Sequence, residues 1–119
     1  MDKMNIRKAA MIGCGFVGAS SAFALMQSGI FSEMVMIDAD HAKAEGEAMD
    51  LSHGLPFARP VKIYAGDYDD IVDAGIIIIT AGANQKPDET RLDLIHKNVE
   101  IYKQIIPKIA KRGCEGILL

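Results

Sequence analysis

The chain has 119 residues, 50 % of them hydrophobic and 24 % charged, with a formal net charge of −3. This is the make-up of one globular domain that buries about two-thirds of its unfolded surface. It excludes the clustered basic face of a nucleic-acid binder. No apolar run approaches the roughly 18 residues of a membrane span, and no small-residue cleavage site follows the N-terminus, so the expected setting is the cytoplasm.

Apolar runs alternate with helix-length segments. Ala9–Ile12 is a short apolar run ending at Gly13, and Phe16 to Gly29 is small, apolar and proline-free, with Gly29 where a helix C-cap belongs. Met34–Ile37 is the next expected strand, ended by Asp38. His41–Leu51, rich in Ala, Glu and Lys, suits a helix. Leu55–Pro60 reads as loop, Val61–Ala65 as a third strand, Tyr68–Ala74 as a short acidic connection and Gly75–Thr80 as a fourth strand. From Arg91 to Lys111, the positions Ile95, Val99, Tyr102, Ile106 and Ile109 make an amphipathic stripe. Pro107 within it predicts a kink or break. Ile117–Leu119 opens a fifth strand. Alternating strands and helices mean a parallel sheet with helices on its faces, and strands buried on both sides explain the near-continuous apolar runs.

Cys14 and Cys114 lie far apart and lack metal-ligand spacing, so they read as free core or near-surface thiols with no metal site.

Gly13-Cys14-Gly15-Phe16-Val17-Gly18 is G-x-G-x-x-G between a predicted strand and a predicted helix, the context the fingerprint requires. Gly13 permits the tight turn, Gly15 lets a pyrophosphate approach the backbone, and Gly18 lets the helix pack on the strand. The helix amides then face the phosphate with the dipole in the favourable sense. About twenty residues past Gly18, Asp38 ends the second strand, where an acid accepts from ribose hydroxyls and repels a 2′-phosphate. No arginine follows it closely, which favours NAD over NADP. FAD sites use a similar fingerprint. The fold class is therefore α/β, a Rossmann-type doubly wound parallel sheet of about five strands, incomplete at the C-terminal end.

The fourth strand delivers a polar loop, Ala81 to Thr90, to the carboxyl edge of the sheet, where ligands lie. Gly82 allows close approach, Gln85 offers a neutral hydrogen-bonding group, and Arg91 is a permanent cation able to polarise a carbonyl or bind a carboxylate. On residue types alone, a solvated surface loop fits equally well.

Gly13–Gly18, Ile37-Asp38, Met49–Gly54 and above all Thr80–Val99 (TAGANQKPDETRLDLIHKNV) resemble the L-lactate dehydrogenase branch of the lactate/malate dehydrogenases, across essentially the whole chain. The resemblance implies an NAD cofactor and a lid loop (residues 81–91) that closes over the substrate. Arg91 would be the lid arginine that polarises the keto group, and Gln85 the position that sorts substrates. Glutamine there favours pyruvate and lactate. Malate enzymes carry arginine to pair with a second carboxylate, and an unpaired charge facing a methyl group is costly. Further cofactor contacts are implied at Phe16, Val17, Lys43, Tyr68, Gly82 and Ala83. The resemblance also implies a homo-oligomer, with the His41–Leu51 helix as a contact element. One departure is Asp88, where the family commonly has glycine; a carboxylate there loses backbone freedom and adds charge near Arg91. His53 and His96 read as solvated or structural, and His41 as lying at the adenosine end. The family's other requirements are an asparagine, an Asp–His proton relay and a second, carboxylate-gripping arginine. They are expected beyond Leu119, so the chain is expected to hold the N-terminal dinucleotide-binding domain without the catalytic domain. The alternatives are another 2-hydroxyacid dehydrogenase, a non-catalytic NAD-binding module and a flavoprotein domain.

Overall fold

The computed structural model describes residues 3–54 and 60–119, so the loop expected over 55–60 lies outside it except for Pro60. The elements in chain order are β1 (Asn5–Ile12), α1 (Phe16–Ser28), β2 (Glu33–Ile37), α2 (His41–His53), β3 (Lys62–Ala65), a 3-10 turn (Tyr68–Ile71), β4 (Ala74–Ile79), α3 (Arg91–Ala110) and β5 (Ile117–Leu118). The strands form one sheet in the order β3-β2-β1-β4-β5, and every pairing is parallel. This is the Rossmann-type arrangement.

The central strand is buried on both faces, as its apolar run requires. Ala9 and Met11 face one core with Ala22 and Met26 of α1 and Ala44, Ala48 and Leu51 of α2. Ala10 and Ile12 face the other, with Val35, Ile37, Ile77 and Ile105 and Ile109 of α3. So α1 and α2 cover one face and α3 covers the opposite one. Gly18, Ala22 and Met26 recur every fourth residue and form the buried stripe of α1. Gly29 closes that helix at φ 71°, the left-handed cap that glycine adopts without steric cost. Asp40 caps α2 by accepting from the Lys43 amide, and Thr90 and Asp93 cap α3 reciprocally.

Three findings add to or correct the sequence reading. First, β1 begins at Asn5, well before the apolar run, and its fourth residue is a buried charge. Lys8 is 4 % exposed. Its Nζ lies 2.6 Å from Asp73 Oδ1 and 3.3 Å from Glu33 Oε2, and Tyr64 donates to Glu33 Oε2 at 2.6 Å. Burial alone would disfavour the ammonium, but Asp73, Tyr64 and Glu33 more than offset it and raise the lysine pKa. Burial and the bond to Glu33 push the Tyr64 hydroxyl up to about 12. Polar residues at the amino edge thus continue the strand because their charges are paired there.

Second, α3 runs through Pro107 without a break. The proline sits in the last turn, where few hydrogen bonds follow, and its own carbonyl still accepts from Lys111 at 2.9 Å. Third, the apolar stripe read along α3 faces outward for most of its length. Ile95, Val99 and Ile106 are exposed, while Ile105 and Ile109 are buried, with Ile101 packed beside them. The outward residues line a shallow apolar groove with Tyr102 and Pro107.

Candidate functional site

β1 and β4 are neighbours, yet the chain leaves them toward opposite faces, into α1 and α3. Such a switch point opens a crevice at the carboxyl ends of the strands. A cleft of about 630 Å³ occupies it.

Its floor is the glycine turn. Gly13 has φ 103°, donates to the Ile37 carbonyl at 2.7 Å and accepts from Thr80 Oγ1 at 2.9 Å. A Cβ on Gly13 would lie 2.6 Å from the Ala81 amide nitrogen. One on Gly18 would overlap the Gly13 carbonyl and come within 2.6 Å of Thr80 Oγ1. Gly15 is different: a Cβ there would meet nothing within 4 Å, because the residue faces the cleft. It is the N-cap of α1, no side chain caps the helix, and no acid occupies the first turn. The first amides of α1 are therefore left for an anion.

Asp38 ties the turn to the end of β2. One carboxylate oxygen accepts from the Cys14 amide at 2.7 Å and the other from the Asp40 amide at 2.9 Å. Cys14 is buried, and burial, followed by Asp38 and Glu47, pushes its thiol up to about 11. A thiol so shifted stays protonated and unreactive at neutral pH. Cys114 is free as well.

Of the residues expected to meet a cofactor, Gly13, Gly15, Phe16, Asp38, Lys43, Tyr68 and Gly82 line the cleft together. Val17 is exposed at the first turn of α1 and Gly18 is buried beneath the glycine turn; neither lines the cleft. Ala83 lies just beyond it, its amide taken by Asn98 Oδ1 at 2.9 Å. His41 lines the cleft near Asp38, whereas His53 and His96 are exposed and outside it. Sequence reasoning passed over Thr80, Ile101, Gln104, Ile105 and Lys108, all on the cleft wall. A signal for Thr80 was present, a hydroxyl ending an isoleucine run. The Tyr68 ring has Lys108 Nζ at 5.1 Å and Arg112 Cζ at 5.7 Å, and Arg112 also pairs with Asp69 at 3.0 Å. These contacts hold the 3-10 turn against the end of α3. Burial, with Asp38 adding to it, raises the Tyr68 pKa against the opposing effect of Arg112.

The loop after β4 stands at the other end. Gly82 and Asn84 line the cleft, but Gln85 and Arg91 are exposed and do not. Among the described residues, Arg91 makes no salt bridge and no side-chain hydrogen bond. Asp88 fits its turn without strain, since among the described residues no non-glycine has positive φ. Its expected loss of backbone freedom therefore carries no conformational penalty in this state.

The cleft fits a dinucleotide: an open glycine where a side chain would obstruct, free helix amides beside it, and a carboxylate at the end of the next strand. These features define a dinucleotide-binding α/β domain. Residues 7–119 match the family model described as lactate/malate dehydrogenase, NAD binding domain. The chain is 57 % identical to an L-lactate dehydrogenase of Priestia megaterium over 113 residues, covering 95 % of this chain and 36 % of that protein. It is 54 % identical to one of Acetivibrio thermocellus, covering 96 % and 36 %. Among solved structures, a lactate dehydrogenase from a Medee basin deep-sea metagenome library superposes with a TM-score of 0.88 at 50 % identity, covering 97 % of this chain and 37 % of that one. The minor L-lactate dehydrogenase of Enterococcus mundtii gives 0.90 at 43 % identity, covering 95 % and 36 %. The chain therefore belongs to the lactate/malate dehydrogenase family and contains its NAD-binding domain, and it spans a little over a third of the length of these relatives.

Proposed function

We propose that this chain is the cofactor-binding and lid-bearing part of an NAD-dependent L-lactate dehydrogenase that interconverts (S)-lactate and pyruvate. The observation that carries the reading is a cleft floored by a preformed glycine turn and walled by Gly82 and Asn84, the start of the loop that leads to Gln85 and Arg91. The L-lactate dehydrogenase names of relatives matched over nearly the whole chain support it. Bound NAD supplies the hydride acceptor, and NADH the donor. Gly13, Gly15, Phe16, Lys43, Tyr68 and Gly82 would hold and orient the cofactor and Asp38 its adenosine ribose, with Gly18 supporting the turn from beneath. When the lid folds down, Gln85 faces the methyl end of the substrate and excludes water, and Arg91 polarises the keto oxygen. A neutral amide leaves no charge unpaired against that methyl, whereas a dicarboxylic acid would find no cation at this position.

The proposed setting is the cytoplasm; among the described residues no helix is long and apolar enough to cross a membrane. A homo-oligomer is part of the reading. The exposed Met49 on α2 and the larger apolar strip on α3 both offer contact area.

The test is turnover of pyruvate and of oxaloacetate with NADH by the protein as isolated from its source. Preference for pyruvate is expected, and preference for oxaloacetate would overturn the substrate assignment. The 119-residue chain alone is expected to bind NADH with little turnover, since His41 stands at the adenosine end and His53 and His96 face solvent.

A further inference from the structure

The loop between β4 and α3 is fastened at both ends to neighbouring residues of one helix. At its start, the Ala83 amide donates to Asn98 Oδ1 at 2.9 Å. At its end, Glu89 Oε2 meets Lys97 Nζ at 2.5 Å, and Glu89 Oε1 accepts from the Lys86 amide at 3.1 Å. The Glu89 side chain is only 11 % exposed, although residues 84–88 around it are open to water. Lys86-Pro87-Asp88-Glu89 is a reverse turn closed by Glu89 N–H donating to the Lys86 carbonyl at 3.0 Å. Proline in second place and the absence of positive φ at Asp88 give it type I geometry.

The selector is caught in the same knot. Gln85 donates its side-chain amide to the Glu89 carbonyl at 2.9 Å. One of its two N–H groups is therefore engaged by the loop itself, and the side chain can swing toward a ligand only when that bond opens. Glu89 holds the knot together through three groups: carboxylate on Lys97, amide on Lys86, carbonyl under Gln85.

We propose that Glu89, clamped by Lys97, is the anchor that presets the lid turn, so that presenting Gln85 to the substrate needs only the Gln85–Glu89 bond to open. Glu89 and Lys97 are then positioning residues for substrate selection, and Asn98 fastens the other end independently. The inference rests on the reading of Gln85 as substrate-facing. A free loop would be ordered at the moment of closure, and that cost would weaken substrate binding. A preset turn avoids it.

The anchor is tested without substrate by amide hydrogen exchange on the 119-residue chain. In Lys97→Met and Glu89→Gln, exchange of the Lys86 amide is expected to accelerate about tenfold, while that of Ala83 is unchanged. Asn98→Ala is expected to do the reverse, and Lys97→Arg to restore Lys86 protection. Lys86 exchange indifferent to Lys97→Met, or equally fast with arginine and methionine, would overturn the anchor. In the protein as isolated from its source, Lys97→Met is expected to raise KM for the keto acid roughly two- to tenfold, with kcat and NADH affinity little changed. An unchanged KM alongside accelerated exchange would overturn its role in selection. Absence of any keto-acid turnover in the unsubstituted protein would instead sink the dehydrogenase reading, with the anchor still decided by exchange.

Discussion

Two loops leave the carboxyl ends of the neighbouring strands β1 and β4, and they are built in opposite ways. The glycine turn is over-determined: Gly13 is held by Ile37 and Thr80, Cys14 by Asp38, and Gly18 fills the space beneath them with no room for a methyl group. The lid loop has few buried contacts and is fastened by side chains at its two ends. The glycine-turn end of the cleft is thus preformed, while the loop after β4 is held more loosely. Under the proposed function that division is useful, because positioning a cofactor wants rigidity and closure over a substrate wants a movable segment.

The sharpest way to break the comparison is to crowd the rigid loop. Gly18→Val should cost about 3 kcal/mol or more, or prevent folding, because the added carbons collide with backbone; denaturant titration measures it. A stable Gly18→Val protein would show that the turn is softer than its packing indicates. The same method applies to the far edge of the sheet. Lys8→Met leaves Asp73 and Glu33 facing each other and should cost roughly 2–4 kcal/mol, moderated by the water that reaches the carboxylates. Because the folded lysine pKa is raised, this contribution is complete below the unfolded value of about 10.4 and is lost as pH rises through the folded one. The unsubstituted protein should therefore lose more stability in alkali than Lys8→Met does.

A smaller effect is expected at the tie between the turn and β2. Asp38→Ala leaves the Cys14 amide without its acceptor and should cost roughly 1–3 kcal/mol. Labelling by a thiol reagent should show Cys14 protected in the unsubstituted protein and faster in the variant. The smallest change in stability belongs to the lid. Gln85→Arg, on an exposed residue, should stay within about 0.5 kcal/mol, yet shift preference in the protein as isolated toward a dicarboxylic keto acid. A large loss of stability there would mean that the lid is part of the core structure.

The glycine turn was legible in the sequence because each glycine stands where strand gives way to helix. The strands were legible because burial on both faces leaves continuous apolar runs. The orientation of α3 was not. That helix carries two apolar stripes, Ile95-Val99-Tyr102-Ile106 and Ile101-Ile105-Ile109, and periodicity does not say which one meets the sheet. The Lys8 cluster was hidden for another reason: its partner Asp73 is 65 residues away, and a lysine in a strand reads as exposed until the strands are paired. Gln85 and Arg91 could be singled out from the loop's polarity, but the fastening through Glu89, Lys97 and Asn98 depends on where α3 sits beneath the loop.

The cleft over the glycine turn is proposed to take the cofactor, and Gly15 isolates that role. A Cβ at this position meets no protein atom within 4 Å and sits on backbone of φ −73° that any residue can adopt. The measurement is NADH titration of Gly15→Val beside the unsubstituted chain, followed by energy-transfer fluorescence with unfolding recorded in parallel. A folded protein is expected, destabilised by no more than about 1 kcal/mol for the changed N-cap, with binding abolished or weakened by orders of magnitude. Equal NADH affinity in a folded Gly15→Val protein would contradict it.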